Sequence, residues 1–187
     1  MRHLILTILL FFFVHFTFAQ SSGYTIFQGG ANLGFANEGY KGAFNGYHLH
    51  FIFGKNFNER AYVGLGIGNE KFQGDYQTND PHEANQKVYK YEFNTFPIFI
   101  DGRLPIGSFN DVSRIGLMAN AGYAPAIGPA YDKGALFKAG FFYLHDGYSR
   151  TKFTAALTYG YQQLTKNIFN KDFQHQSFHI TVGLMLK

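Results

Sequence analysis

The stretch Val63-Gly64-Leu65-Gly66-Ile67-Gly68 alternates an aliphatic residue with a glycine, and this period of two recurs along most of the chain. A strand sends successive side chains to opposite faces, so the pattern gives one apolar face and one small or polar face. It predicts eight strands, at residues 24–35, 46–57, 61–72, 87–104, 114–123, 135–144, 153–163 and 177–186. In the second, Tyr47, Leu49, Phe51 and Phe53 oppose His48, His50, Ile52 and Gly54. In the eighth, Phe178, Ile180, Val182, Leu184 and Leu186 oppose His179, Thr181, Gly183 and Met185. The sixth is less regular, because Phe142 and Leu144 fall on its polar side. Pro97 cannot donate to a ladder and predicts a bulge or bend in the fourth.

One face of each predicted strand is nearly free of charge over eight to ten residues, close to the length a tilted strand needs to cross a bilayer. The opposite face carries histidine, asparagine, glutamine and a few charges. A soluble ligand-carrying barrel would reverse this, with an apolar inside and a polar outside. The fold class expected is therefore all-β, an eight-stranded antiparallel up-and-down transmembrane β-barrel. Its connections alternate in length. Short turns are expected at 58–60, 105–111 and 145–150, and long loops at 36–45, 73–86, 124–134 and 164–176, the asymmetry of short periplasmic turns and long external loops. Tyr47, Tyr62, Tyr89, Tyr91, Tyr123, Tyr143 and Tyr161 fall toward strand ends, where an aromatic girdle would sit.

The N-terminus reads as a secretory signal. Arg2 and His3 precede a largely apolar run from Leu4 to Phe16, and Thr17 and Ala19 are the small residues of a cleavage site. The run is too short for a spanning helix. Two segments follow, a signal peptide at 1–19 and an outer-membrane barrel domain at 20–187. Removing the signal costs only Arg2, so the formal charge of +4 becomes +3. The basic residues are scattered, without the clustered runs of a nucleic-acid binder, so no nucleic acid is expected. There is no cysteine, and 19% of residues are Phe or Tyr. Stability must then come from a large core, or from the membrane and a closed ladder, and not from disulfides.

In an eight-stranded barrel side chains fill the interior, and charges within it should pair. Period two places Glu70, Lys90, Glu92 and Lys138 on the lumenal face. A closed polar plug is expected there, with His48, His50 and Asn120 within hydrogen-bonding range. Tyr89, Tyr91 and Phe93 are expected against lipid. His48-x-His50 could chelate a metal, but lumenal histidines bonded to Gln28, Asn32 or Glu92 are the reading adopted. No metal and no cofactor is expected. Gly64-x-Gly66-x-Gly68 superficially suggests a phosphate loop. It lies inside a strand with no helix after it, so it reads as small lumen-filling residues.

The Phe/Tyr/Gly alternation, the leader ending Phe18-Ala19-Gln20, the segment Phe93-Asn94-Thr95-Phe96-Pro97-Ile98-Phe99-Ile100-Asp101-Gly102-Arg103 and the closing Ile180-Thr181-Val182-Gly183-Leu184-Met185-Leu186-Lys187 resemble the small outer-membrane barrels of Bacteroidetes-type bacteria. That group includes the PorT-like and OmpA/OmpX-like eight-stranded barrels. The resemblance implies the cell outer membrane after Sec-type export. It carries no catalytic residue to this chain. Many such barrels end in an aromatic residue, where this one has Leu186-Lys187. The function expected is a non-enzymatic integral membrane role, structural or mediated by the loops. The partners expected are outer-membrane lipid and lipopolysaccharide, with an envelope protein or extracellular ligand at the long loops. Three alternatives stand beside it: a lipid A-modifying hydrolase, a small channel and a soluble secreted barrel. His175-x-Ser177 resembles the catalytic pair of outer-membrane lipid A deacylases, but no acid follows Ser177. No catalytic residue is assigned.

Overall fold

The computed structural model describes residues 21–78, 87–110, 112–147, 150–165 and 172–187. The signal expected at 1–19 lies outside them. Every regular element among the described residues is a strand: β1 (Ser21–Glu38), β2 (Tyr40–Lys41), β3 (Asn45–Phe57), β4 (Ala61–Thr78), β5 (Tyr89–Thr95), β6 (Ile98–Asn110), β7 (Ser113–Ala124), β8 (Gly134–His145), β9 (Thr151–Thr165) and β10 (Asp172–Leu186).

Eight of these positions form a closed antiparallel ring. β10 pairs with β1, β1 with β3 and β3 with β4, and the circuit continues through β6, β7, β8 and β9 back to β10. Closure through β6 leaves that part of the ring without a sheet edge and satisfies its backbone groups within the ladder, which a lipid surround requires. β5 and β6 together make the fourth ring position. The lower part of β4 pairs with β6 and the upper part with β5, with the break at Phe96-Pro97. Proline removes the donor there, and the Pro97 carbonyl still accepts from Gly68 N–H at 3.2 Å. β2 is a two-residue bridge from β1 to the top of β4.

The strands run further than the sequence pattern implies. β6 continues to Asn110 through register shifts after Pro105 and Ser108, so the turn expected at 105–111 is mostly strand. β1 and β4 likewise extend into the loops expected at 36–45 and 73–86, and β10 into 164–176. Residues 79–86 and 166–171 of those loops lie outside the described residues. The segment after β7 folds over the gap above it, where Asp132 N–H donates to the Asn94 carbonyl at 2.9 Å.

The extra length changes polarity along single strands. Outward side chains of β4 are Val63, Leu65 and Ile67, then Asn69, Lys71 and Gln73. Those of β10 are Leu186, Leu184, Val182, Ile180 and Phe178, then Gln176 and Gln174. The apolar part of β10 spans nine residues, the span of a tilted transmembrane strand. Above this belt the inward side chains become aromatic. Phe44, Phe72, Tyr76, Tyr91, Leu164 and Phe173 form one buried cluster, with Phe44 stacked on Tyr91 at 4.2 Å between centroids. Once the strands leave lipid for water, the ordinary rule of apolar inside and polar outside returns.

That reversal corrects several expectations. Lys90 and Glu92 project from the outside of β5 into solvent, and Tyr91, only 1% exposed, points inward. The girdle residues divide too. Tyr47, Tyr89 and Tyr123 are exposed, whereas Tyr62 and Tyr91 are buried inside. On β8, Phe142 and Leu144 belong to a second interior cluster with Tyr24, Ile26, Ile52, Tyr62 and Met185, toward the short-turn end. The lumenal face is thus polar in its middle and apolar above and below, so alternation on β8 had to blur near its end.

Candidate functional site

The lumen is filled by side chains in layers. In its middle, Glu70 is fully buried, and a single oxygen, Oε1, takes both Lys138 Nζ at 2.5 Å and His50 Nε2 at 2.8 Å. β4 and β8 supply the ion pair and β3 the imidazole, so the Lys138 bond ties strands that are not neighbours in the ring, while His50 reaches Glu70 from the adjacent strand. Charge-assisted bonds of this length are the strong class. The expected plug residues therefore divide. Glu70, Lys138 and His50 meet directly. Glu92 instead accepts from Lys71 at 2.7 Å on the outer surface, and that bond holds its carboxyl below the usual carboxylate range.

Beside this group lies one that the sequence reading did not identify. Arg103 Nε donates to Asp101 Oδ2 at 3.0 Å, Nη1 to Thr154 Oγ1 at 3.0 Å and Nη2 to Gln28 Oε1 at 2.8 Å. Asn120 Nδ2 donates to Asp101 Oδ1 at 2.8 Å, so Asn120 belongs to this pair and not to Glu70. Both ions lie at or below 2% exposure. The signal was available: Asp101 and Arg103 share a face at i, i+2 on a strand whose other face is Ile98, Ile100 and Leu104. Pro97 had blurred the alternation before them.

The histidines form a third array. His48 Nδ1 and His179 Nδ1 both lie against Asn32 Oδ1, at 2.5 and 2.6 Å. Asn32 Oδ1 is an acceptor, so both rings carry their proton on Nδ1. Each Nε2 then accepts from a hydroxyl, Thr181 for His48 at 2.9 Å and Ser177 for His179 at 3.0 Å. His175 sits one layer up, bonded through Nδ1 to Asn37 Oδ1 at 3.0 Å and stacked on Phe44. The pair His175 and Ser177 is therefore not formed, and the imidazole beside Ser177 is His179. Residues 48, 50 and 179 do share a lumenal region, but their ring nitrogens are occupied by hydrogen bonds. Among the described residues no group of three metal-ligating side chains is arranged to hold an ion.

Glycines make this packing possible. A Cβ on Gly66 would stand 2.4 Å from the Phe99 ring, and one on Gly68 2.4 Å from His50. The alternating glycines of β4 are thus the floor against which lumenal rings lie. The void lined by His50, Phe99, Asn120, Leu136 and Lys138 is too small to admit a water molecule.

At the short-turn end the lumen is capped by a third ionic group around Glu59. Asn58 and Glu59 both have positive φ, 52° and 62°, and Arg60 N–H reaches the Phe57 carbonyl at 3.0 Å, a tight two-residue hairpin. The left-handed backbone aims Glu59 across the opening. Its carboxylate accepts from Asn56, Tyr62, Arg114 and Lys187. Arg114 also reaches Asp146, which Lys152 holds at 2.6 Å. Burial alone would raise the Glu59 carboxyl, but hydrogen bonds from Lys187, Tyr62 and Asn56 more than offset it and hold it at about 2. A folded-state value below the ordinary 4.5 stabilises the barrel at pH above 4.5. That contribution is lost as pH falls from 4.5 toward 2. Urea midpoints in vesicles across this window should fall for the native chain, and Glu59→Gln should remove this part of the slope.

No family model matches the chain, and no curated protein is similar to it at a significant level. Its fold is nevertheless that of known barrels. The crystal structure of neisserial surface protein A, NspA, superposes with a TM-score of 0.50 at 13% identity, covering 89% of this chain and 98% of that one. The outer-membrane protein Ail of Yersinia pestis, in a phospholipid bilayer nanodisc, gives 0.43 at 13% identity, covering 88% and 99%. The near-complete coverage of NspA supports a small β-barrel spanning nearly the whole described chain.

Proposed function

We propose that this chain is an exported, non-enzymatic integral protein of a Gram-negative outer membrane, whose role is structural or is carried by its long-loop end. The observation that carries the reading is the combination of an apolar outer belt with a lumen packed solid by ion pairs and rings. The belt suits lipid, and a lumen filled by side chains among the described residues weighs against a conduit. The leader at 1–19 fits Sec-type export. The sequence resemblance to PorT-like and OmpA/OmpX-like barrels of Bacteroidetes-type bacteria supports the same location. The belt would contact outer-membrane lipid, including lipopolysaccharide. The loops beyond β1, β4, β7 and β9 would meet an envelope protein or extracellular ligand.

The reading is tested by reconstituting the mature chain in planar bilayers after confirming heat-modifiable migration of the folded form. No steady single-channel steps are expected. Sizeable, regular steps would establish a channel instead. Folding and monomeric solubility in plain buffer would overturn the membrane assignment.

A second reading rests on Ser177, His179 and Asn32, which stand in the order of nucleophile, base and orienting amide. Ser177 is only 1% exposed, beneath the aromatic cluster, and no acyl ester can reach its Oγ in this packing. The non-enzymatic reading is preferred for that reason. Acyl release from lipid A by the purified barrel, abolished in Ser177→Ala, would reverse the preference.

A further inference from the structure

The charges of the described chain are distributed unequally along the barrel axis. At the long-loop end five lysines stand against five carboxylates. In the lumen Arg103 and Lys138 stand against Asp101 and Glu70. At the short-turn end Lys55, Arg60, Arg114, Arg150, Lys152 and Lys187 stand against Glu59 and Asp146. Asp111, which the chain places between β6 and β7, adds one further carboxylate by sequence. The excess positive charge therefore collects at one end, and the other two regions are neutral.

Part of this excess is not used internally. Arg114, Lys152 and Lys187 engage Glu59 and Asp146. Lys55, Arg60 and Arg150 are exposed. Their depth is informative. Lys55 points outward two residues below Phe53, about 7 Å along the strand, and pairs in register with Val63 of the belt. Leu186, exposed as the last apolar side chain of β10, stands immediately before Lys187. The cations thus lie where the apolar belt ends, at the depth of lipid headgroups rather than out in free solution. A lysine there can lay its stem on apolar surface and its ammonium among phosphates.

We infer that the short-turn rim formed by Lys55, Arg60 and Arg150 is a binding surface for anionic phospholipid headgroups of the adjoining leaflet. The inference rests on the membrane reading above. The occupant is lipid and not a soluble acidic partner, because the cations ring the edge of the belt and the lumen opening between them is filled by the Glu59 group. Each cation near an anionic surface contributes about a fivefold factor in binding. Removing three should lower the preference on the order of a hundredfold at low salt, with screening reducing this as salt rises.

The mature barrel is reconstituted in nanodiscs of equimolar phosphatidylglycerol and phosphatidylcholine, re-extracted in mild detergent, and its retained lipids are quantified. The native chain should retain phosphatidylglycerol at least tenfold over phosphatidylcholine. The variant Lys55→Gln/Arg60→Gln/Arg150→Gln should retain the two in their mixing ratio, as should the native chain in about 0.5 M salt, where the Debye length falls below 5 Å. The control Lys71→Gln/Lys90→Gln/Lys133→Gln, at the other end, should keep the preference. Equal retention by the native chain overturns the inference, as does loss of preference in the control alone. Inorganic phosphate that displaces the retained lipid at millimolar concentration would show a free-anion site instead. Heat-modifiable migration reports insertion separately. A barrel that never inserts sinks the membrane reading, and one that inserts without the preference sinks only this surface.

Discussion

Lys138→Met is expected to destabilise the barrel by about 3–5 kcal/mol, because it leaves the Glu70 carboxylate buried without its cation. Glu70→Gln should cost a comparable amount by stranding Lys138 Nζ and weakening the His50 bond. The double variant should cost clearly less than the two singles added, since neither charge then remains unpaired. Urea unfolding in lipid vesicles measures the cycle. Strictly additive effects would show that the two groups do not meet in the folded barrel. Glu92→Ala is the matched control. Its carboxylate is exposed on the outside of β5 against Lys71, where solvent screens the pair, so its loss should leave the urea midpoint almost unchanged. A large effect of Glu92→Ala, coupled to Lys138, would place it back in the lumen.

Arg103→Met is the second large effect. The guanidinium neutralises Asp101 and also bonds Gln28 on β1 and Thr154 on β9, so one side chain joins three ring strands. Its loss should again cost about 3–5 kcal/mol, the range for a buried pair broken on one side. Adding Asp101→Asn should recover much of this, because a neutral amide can still meet Asn120 without an uncompensated charge. The same unfolding assay decides it. If the double variant is no more stable than Arg103→Met, the cost lies in the bonds to Gln28 and Thr154 and not in the stranded Asp101.

These two pairs differ in how readable they were. Glu70 and Lys138 were legible because alternation on β4 and on the first part of β8 placed both on the face opposite Val63, Leu65, Phe137 and Phe141. Asp101 and Arg103 obeyed the same rule but follow Pro97, where the pattern had lost its phase. Lys90 and Glu92 obeyed the pattern and were nonetheless misplaced. Period two says which residues share a face, but not whether that face meets water, lipid or the interior. The inward aromatic cluster around Tyr91 and Phe173 shows that the meaning of a face reverses once strands rise above the belt. Glu59 carried no sequence signal beyond its place in a short turn. Its importance comes from a left-handed backbone that aims it at nearby Asn56 and Tyr62 and at Arg114 and Lys187 from distant parts of the chain.

The sequence by itself determined the strand period, the eight strand segments, the irregularity at Pro97 and the lipid-compatible belt, because all four follow from side-chain alternation and from proline's missing donor. Only the tertiary structure decided where the belt stops, which charges meet across the lumen and which imidazole Ser177 touches. Those depend on register and closure. His175, Ser177 and His179 lie on one strand face, yet Asn32 from β1 positions His179 while Asn37, five residues further along, takes His175. Such pairings join residues up to 147 positions apart, and no local pattern in the chain encodes them.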